Sequence, residues 1–376
     1  LSSLNKLADS ELPEIGPITF TGKLADTDSG YSIKSMSAQI MDYKIDGDLE
    51  VKLNTTRPKM IANFTTDSVD ISPFQTGEKA EAIKKESEKE KLFSAEPLPL
   101  ESLKAADVDF KFKANQLITK DLTINNANLV VTLNNGYLNV NHTAKTSGGS
   151  ISAIIKLDGS SGKSVMLDND IKLKQIELGE LPAIKEKELL SGGKTDISIK
   201  TKGTGSSVGE IMAGLNGKLK VQVGEGQILN AALDIASTDV FTSTLSMLNP
   251  TADKKDGSLL ECAVINFTIK DGIATAENGI AMATNHVNVM GTGHINLKTE
   301  ELDIGITPKA REGVGISIGQ LAELVRLGGT LAKPTPKTDT KAAFKAGLSA
   351  GAAVATGGLS LLAEGLFDKT YSDANP

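Results

Sequence analysis

Several short stretches hold residue types that could do chemistry. Gly205-Ser206-Ser207-Val208-Gly209 matches the G-x-S-x-G pattern, in which a serine on a sharp strand-to-helix turn attacks an acyl carbon. That chemistry needs a buried parallel strand before the serine, a long helix after it, and an acid and a histidine downstream. Here Ile197 and Ile199 alternate with polar residues and lysines, and the helix that follows has room for one or two turns. The residues fit a cap better: Ser206 or Ser207 opens a short helix carrying Ile211, Met212 and Leu215, which Asn216-Gly217 stops. Cys262 is the one cysteine, so no internal disulfide can form; inside LLECAVINFTI it is expected as a small core residue, not a nucleophile.

The remaining candidates are weaker. Asp26 and Asp28 before Gly30 supply two acids where calcium takes six to eight oxygens, and turns use Asp for local hydrogen bonds. His286 and His294 share one strand face but lie roughly 26 Å apart, too far to hold one metal. His142 is read at the polar parity of its strand, as an exposed histidine. Gly224-Glu225-Gly226 is too short for a phosphate loop and lacks the following Lys-Ser/Thr. The expectation is a protein without catalytic residues, metal or cofactor.

What the sequence repeats instead is a strand. In Ala283–Thr307, Val287, Val289, Gly291, Gly293, Ile295 and Leu297 share one parity, with mostly polar residues between them. Successive side chains of a strand point to opposite faces, so this is one apolar face about 35 Å long, joined through a turn at Lys298–Glu301 to Leu302, Ile304 and Ile306. The same pattern places Leu49, Val51 and Leu53 together, then Phe110 and Phe112, then Leu129, Val131 and Leu133. It recurs with Ile151, Ile155 and Leu157, and with Leu219, Val221 and Val223. With Ile304, these are the candidate lining residues of a shared apolar face. Asn134-Asn135-Gly136 marks a tight hairpin.

Composition agrees with an all-β class. The 376 residues include 36 Gly, no Trp, four Tyr and ten Phe; 40 basic and 47 acidic residues leave a net charge of −7. Balanced charge and scarce aromatics argue against nucleic acid as a partner. The chain divides into an N-terminal β-repeat (1–75), a charged linker (76–105), a middle β-repeat (106–202), a C-terminal β region (203–318) and a helical tail (319–376). Short helices are expected at Ser206–Leu215, Asp234–Leu248 and Gly319–Leu327, with a break at Pro334 and Pro336. Ala346–Ala363 has no charge over eighteen residues but is too weakly apolar for a membrane span; it is expected as a helix packed against the sheet end, the alternative being a membrane or partner contact.

A one-faced antiparallel sheet must cover its apolar face. Either two sheets pack as a sandwich, or one sheet curls into a trough whose lining awaits a ligand. A two-acyl phospholipid has roughly 30 methylenes, so exposing it to water costs roughly 24 kcal/mol, which a continuous apolar trough would lower without catalysis.

Residues 215–307 resemble the C-terminal conserved region of the AsmA family. The similar phrases are Leu215-Asn216-Gly217-Lys218-Leu219, Gly226-Gln227-Ile228, Phe267-Thr268-Ile269-Lys270-Asp271-Gly272-Ile273, Gly291-Thr292-Gly293-His294-Ile295-Asn296-Leu297 and Leu302-Asp303-Ile304. The repeats at about 15–72 and 106–200 are similar to the diverged strands upstream of that region. The resemblance implies a mainly β fold, a long twisted antiparallel sheet curled into an apolar groove, with few helices. It implies a periplasmic protein of a Gram-negative bacterium, held at the inner membrane by an N-terminal helix that this chain lacks. Its expected partners are phospholipid or another acyl lipid, the inner and outer membranes or their proteins, and other cell-envelope proteins. The expected function is lipid conduction between the membranes; the alternative is an assembly factor acting through an exposed strand edge.

Overall fold

The computed structural model describes residues 18–72, 91–120, 122–146, 148–186, 189–228, 258–285, 287–311 and 325–338. All but Lys91 of the charged run Gly77–Lys91, the helix expected at 234–248, His286, the segment 312–324 and the tail helix lie outside the described residues. Those described form nineteen strands and a few helical turns, so the protein is mainly β, and its sheet mixes antiparallel with parallel pairing without closing.

The chain packs as two units. The first comprises Leu1–Lys89, Ala95–Lys174 and Lys202–Ile211; the second comprises Glu90–Ser94, Gln175–Thr201 and Met212–Pro376.

In the first unit the strands pair in chain order: β1 (Ile18–Thr27), β2 (Gly30–Ile40), β3 (Tyr43–Lys52), β4 (Lys59–Asp70), β5 (Asp107–Ile118), β6 (Thr123–Asn134), β7 (Tyr137–Thr146), β8 (Gly149–Asp158) and β9 (Val165–Glu177). The turn between β6 and β7 is a two-residue loop with Asn135 and Gly136 both at positive φ (48° and 83°), as that hairpin type requires. The expected all-antiparallel sheet is corrected at one place. β4 and β5 run parallel, Lys59 opposite Asp107 through Asp70 opposite Ile118. A parallel pair cannot be closed by a hairpin, so the polar excursion between the strands is the crossover that the pairing demands. Its return limb includes the short helix α1 (Ser102–Ala105).

The second unit carries the short strand β10 (Leu190–Gly192), preceded by the helical turn α2 (Pro182–Lys185). Its ladder is β12 (Asn216–Val223), β14 (Ser258–Lys270), β15 (Ile273–Thr284), β16 (Val287–Asn296), β17 (Glu301–Ala310), β18 (Val325–Gly329) and β19 (Pro334–Thr338), all antiparallel. The short β13 (Gly226–Ile228) joins β10 to β14. Strand β11 (Lys194–Gly205) and helix α3 (Val208–Ala213) complete the elements.

Two expectations near the C-terminus are corrected. The last residues of the helix expected at Gly319–Leu327 are strand, because Val325 and Leu327 pair with Ile306 and Ile304, and that pairing overrides local helix preference. Pro334 and Pro336 do not break the chain; they lie in β19. Thr330 and Lys333 exchange both backbone hydrogen bonds, so alternate pairs outward from them are unbonded, including Gly329–Pro334 and Leu327–Pro336. Both prolines therefore aim their missing N–H away from β18, the one site where a strand tolerates them.

Candidate functional site

The registers of β3 to β9 assemble one apolar face from four rows. The first runs Val51, Met60, Val108, Leu133, Leu138, Leu157, Leu167. The second runs Leu49, Ala62, Phe110, Val131, Val140, Ile155, Asn169, and the third Gly47, Phe64, Phe112, Leu129, His142, Ala153, Ile171. In the fourth, Ile45, Thr66, Ala114 and Ala127 are followed, past a bulge in β6, by Ala144, Ile151 and Leu173. Seven strands at about 4.8 Å and four rows two residues apart give a face of about 29 Å by about 20 Å. Phe64 and Phe110 meet edge to face, ring centroids 6.0 Å apart.

Burial on this face is uneven, and Ala153 is half-buried like its larger neighbours. Ala62, Ala114, Ala127 and Ala144 are buried beneath their neighbours, whereas every larger apolar residue is half-buried and Met60 is exposed. A second sheet packed on this face would interdigitate with the large side chains and bury them. The face therefore keeps some accessible apolar surface across a footprint of roughly 600 Å². The reverse face carries Lys44, Asp46, Asp48, Glu50, Lys59, Asp109, Lys111 and Lys156. On it a cleft of about 450 Å³ is lined by residues including Asp46, Asp67, Lys113, Asn115 and Asn128.

The candidate lining residues Leu49, Val51, Phe110, Phe112, Leu129, Val131, Leu133, Ile151, Ile155 and Leu157 all fall on the apolar face, half-buried. Leu53 does not: it lies beyond the end of β3 and is 54% exposed. In the second unit, Leu219, Val221 and Val223 pair with Phe267, Ile265 and Ala263, and Val287, Val289, Ile295 and Ile304 share the face of Met282, Leu302 and Ile306. Burial differs there. Val287 and Val289 are 3% and 5% exposed, packed by Met282 and Ile306, and Leu297 and Ile304 are buried too.

Two single-residue expectations are corrected. His142 is not at a polar position: it follows Val140 by two residues, shares the apolar face with Leu129 and Ala153 on either side, and is half-buried. Cys262 is exposed rather than in the core. Leu260 pairs with Thr284 and Cys262 with Ala283, so β14 carries one extra residue there; that bulge turns Cys262 away from the side on which Leu260 is buried.

Ser207 behaves as a cap. Its Oγ accepts the Glu210 N–H at the start of α3 (3.2 Å), while the Glu210 carboxylate accepts both the N–H and the hydroxyl of Ser206 (2.7 Å each), which holds that carboxyl below its usual range. Ser207 is buried, so its hydroxyl is committed to the helix end. Asp107 is bound by Arg57 through Nε (3.1 Å) and Nη2 (3.2 Å) and accepts the Asn135 N–H (2.9 Å). The guanidinium first, then the amide, holds its carboxyl below the usual range.

A residue that sequence reasoning missed is Glu300, which looks like an ordinary acid in a hairpin turn. It is 1% exposed, and its two oxygens accept the N–H groups of Leu92 (2.7 Å) and Phe93 (2.9 Å). The only signal was its position, since partners some two hundred residues away leave no local pattern. Among the described residues no group of three or more His, Cys, Asp or Glu is placed to hold a metal ion, and no helix is long and apolar enough to cross a membrane.

Comparisons with known proteins converge on one family. The AsmA family model matches residues 16–278, which takes in the whole four-row face. The AsmA family protein YhjG of Escherichia coli (strain K12) is 25% identical over 379 residues, covering 95% of this chain and 52% of the relative. The chain thus spans about half the length of that curated relative. No solved structure matches.

Proposed function

Because the chain belongs to the AsmA family, we propose that it binds acyl lipid, phospholipid foremost, on the apolar face of its sheet and conducts it between the inner and outer membranes of a Gram-negative cell envelope, in the periplasm. The observation that carries this reading is the four-row face of β3–β9, whose large apolar side chains are half-buried or, at Met60, exposed. Burying each methylene against such a surface is worth about 0.8 kcal/mol, so a chain sliding from row to row meets nearly constant energy. That is conduction without a catalytic group.

The test is purification without detergent, followed by solvent extraction and mass spectrometry, with a photo-crosslinking residue at Val140. Stoichiometric phospholipid crosslinked at Val140 is the expected result. A lipid-free protein whose crosslinks are all internal overturns it.

One observation favours a second reading, recruitment of another β protein through a strand edge. Among the described residues β1 pairs with β2 alone, and its Phe20 and Leu24 are 54% and 73% exposed. An edge strand of ten residues with exposed Phe20 and Leu24 is a template for strand addition. A proline at Thr21 would abolish function under this reading and spare lipid binding under the first.

A further inference from the structure

One ionisable side chain interrupts the apolar face. Of the residues that β3 to β9 contribute to its four rows, His142 alone can carry a charge; the other polar members are Thr66 and Asn169. The residues opposite it are Leu129 on β6 and Ala153 on β8, and along its own strand lie Val140 and Ala144. The charged residues of these three strands, Lys145, Lys156 and Asp158, have the other parity and belong to the reverse face. His142 is half-buried, and no hydrogen bond joins its side chain to another described residue. An acyl chain laid on this face would shut solvent from the ring and leave its donor and acceptor facing hydrocarbon, which is unfavourable unless the ligand brings its own polar atom to the same place.

Resting on the lipid reading above, we propose that His142 is the polar contact of the bound lipid: its ring donates a hydrogen bond to an anionic oxygen at the end of an acyl chain, the phosphate of a phospholipid or the carboxylate of a fatty acid. Its position on the face suits that role. From the row of His142 to the first row, through Val140 to Leu138, is about 14 Å of uninterrupted apolar surface, close to the roughly 15 Å of hydrocarbon in one leaflet of a bilayer. A chain anchored at His142 would lie along the strands and end at the sheet margin.

The experiment compares the unaltered chain with His142→Leu and His142→Gln. Each is incubated with vesicles holding equal parts of phosphatidylethanolamine, oleic acid and diacylglycerol, re-isolated, and its bound lipid quantified by mass spectrometry. Both substitutions place a side chain of similar size on the face, so melting temperatures checked by circular dichroism are expected to agree within a few degrees. The expected result is that His142→Leu keeps its total acyl lipid but loses about fivefold in the ratio of phosphatidylethanolamine and oleic acid to diacylglycerol, the effect of one lost hydrogen bond, while His142→Gln keeps most of it. A loss confined to phosphatidylethanolamine assigns the oxygen to phosphate, and one confined to oleic acid assigns it to carboxylate. An unchanged ratio with lipid still bound overturns the role of His142 and leaves the lipid reading standing. Absence of acyl lipid from the unaltered chain overturns both. Should His142→Leu fail to fold, His142→Ala, which also lacks a donor, carries the same test: an unchanged ratio in that variant overturns the role of His142.

Discussion

A charge at Val140 is the sharpest probe of the apolar face. Val140 sits in the second row between Val131 and Ile155 and is half-buried, so Val140→Asp leaves its carboxylate at the surface and costs the fold little. Its effect on lipid follows from the geometry. With strands about 4.8 Å apart and rows about 6.8 Å apart, each position offers roughly 33 Å² of the face. A carboxylate keeps its own position wet and that of each cross-strand neighbour, about 100 Å² in all. At about 25 cal/mol per Å² this removes about 2.5 kcal/mol of ligand burial, or roughly 60-fold in affinity. The assay is titration with a fluorescent phospholipid analogue, with thermal melts of each variant to confirm folding. The control is Asn141→Asp, one residue on and on the reverse face between Val130 and Ile154, where less than a twofold change is expected. Equal effects at the two positions, or none at Val140, would refute the reasoning, because it depends on which side of the sheet the charge lies.

Three further outcomes follow from the same structure. Ser207→Ala removes the cap of α3 and is expected to cost about 1 kcal/mol in urea melts with lipid binding unchanged; lost function in a folded variant would revive a nucleophilic serine. Asp107→Asn loses the paired charge at Arg57 and is expected to cost about 1 kcal/mol at pH 7. Since the fold lowers this carboxyl, its contribution is complete above the unfolded value near 3.9 and is lost as pH falls through the folded value, so melts of the two proteins should stay separated from pH 7 to about 5 and converge in stronger acid. Pro334→Thr with Pro336→Thr restores two outward N–H groups on β19 and is expected to raise self-association in sedimentation velocity; an unchanged monomer fraction counts against edge protection by these prolines.

What could be read from the sequence was whatever period two controls. The strands around Leu49, Phe110, Val131, Ile155, Val221 and Val289 follow from alternation alone, as does the hairpin at Asn135-Gly136, because both are local properties of a few residues. What escaped depended on neighbours distant in sequence. The parallel pairing of β4 with β5 is invisible in a polar excursion that reads like any linker. The exposure of Cys262 depends on one bulge residue, which shifts parity without a compositional mark. The strand at Val325 exists because Ile304 and Ile306 offer it an edge. Half-burial of the four-row face could not be read at all, since alternation says which side is apolar but not whether anything covers it.

The parallel seam between β4 and β5 also bears on how this chain reaches its native state. Hairpin partners in the first unit lie a few to about twenty-five residues apart, but Lys59 must find Asp107 across forty-eight. Loop closure over that span is slower and entropically costlier than hairpin zipping. Strands β1–β4 and β5–β9 are therefore expected to form as two separate hairpin stacks, with their joining along the seam as the late step. That order would be refuted if Ala62→Gly, at the seam, slowed refolding no more than Ala153→Gly in the β7–β8 hairpin. Until the seam closes, each stack presents a free edge and half of the apolar face, and that interval is when the chain is most exposed to aggregation.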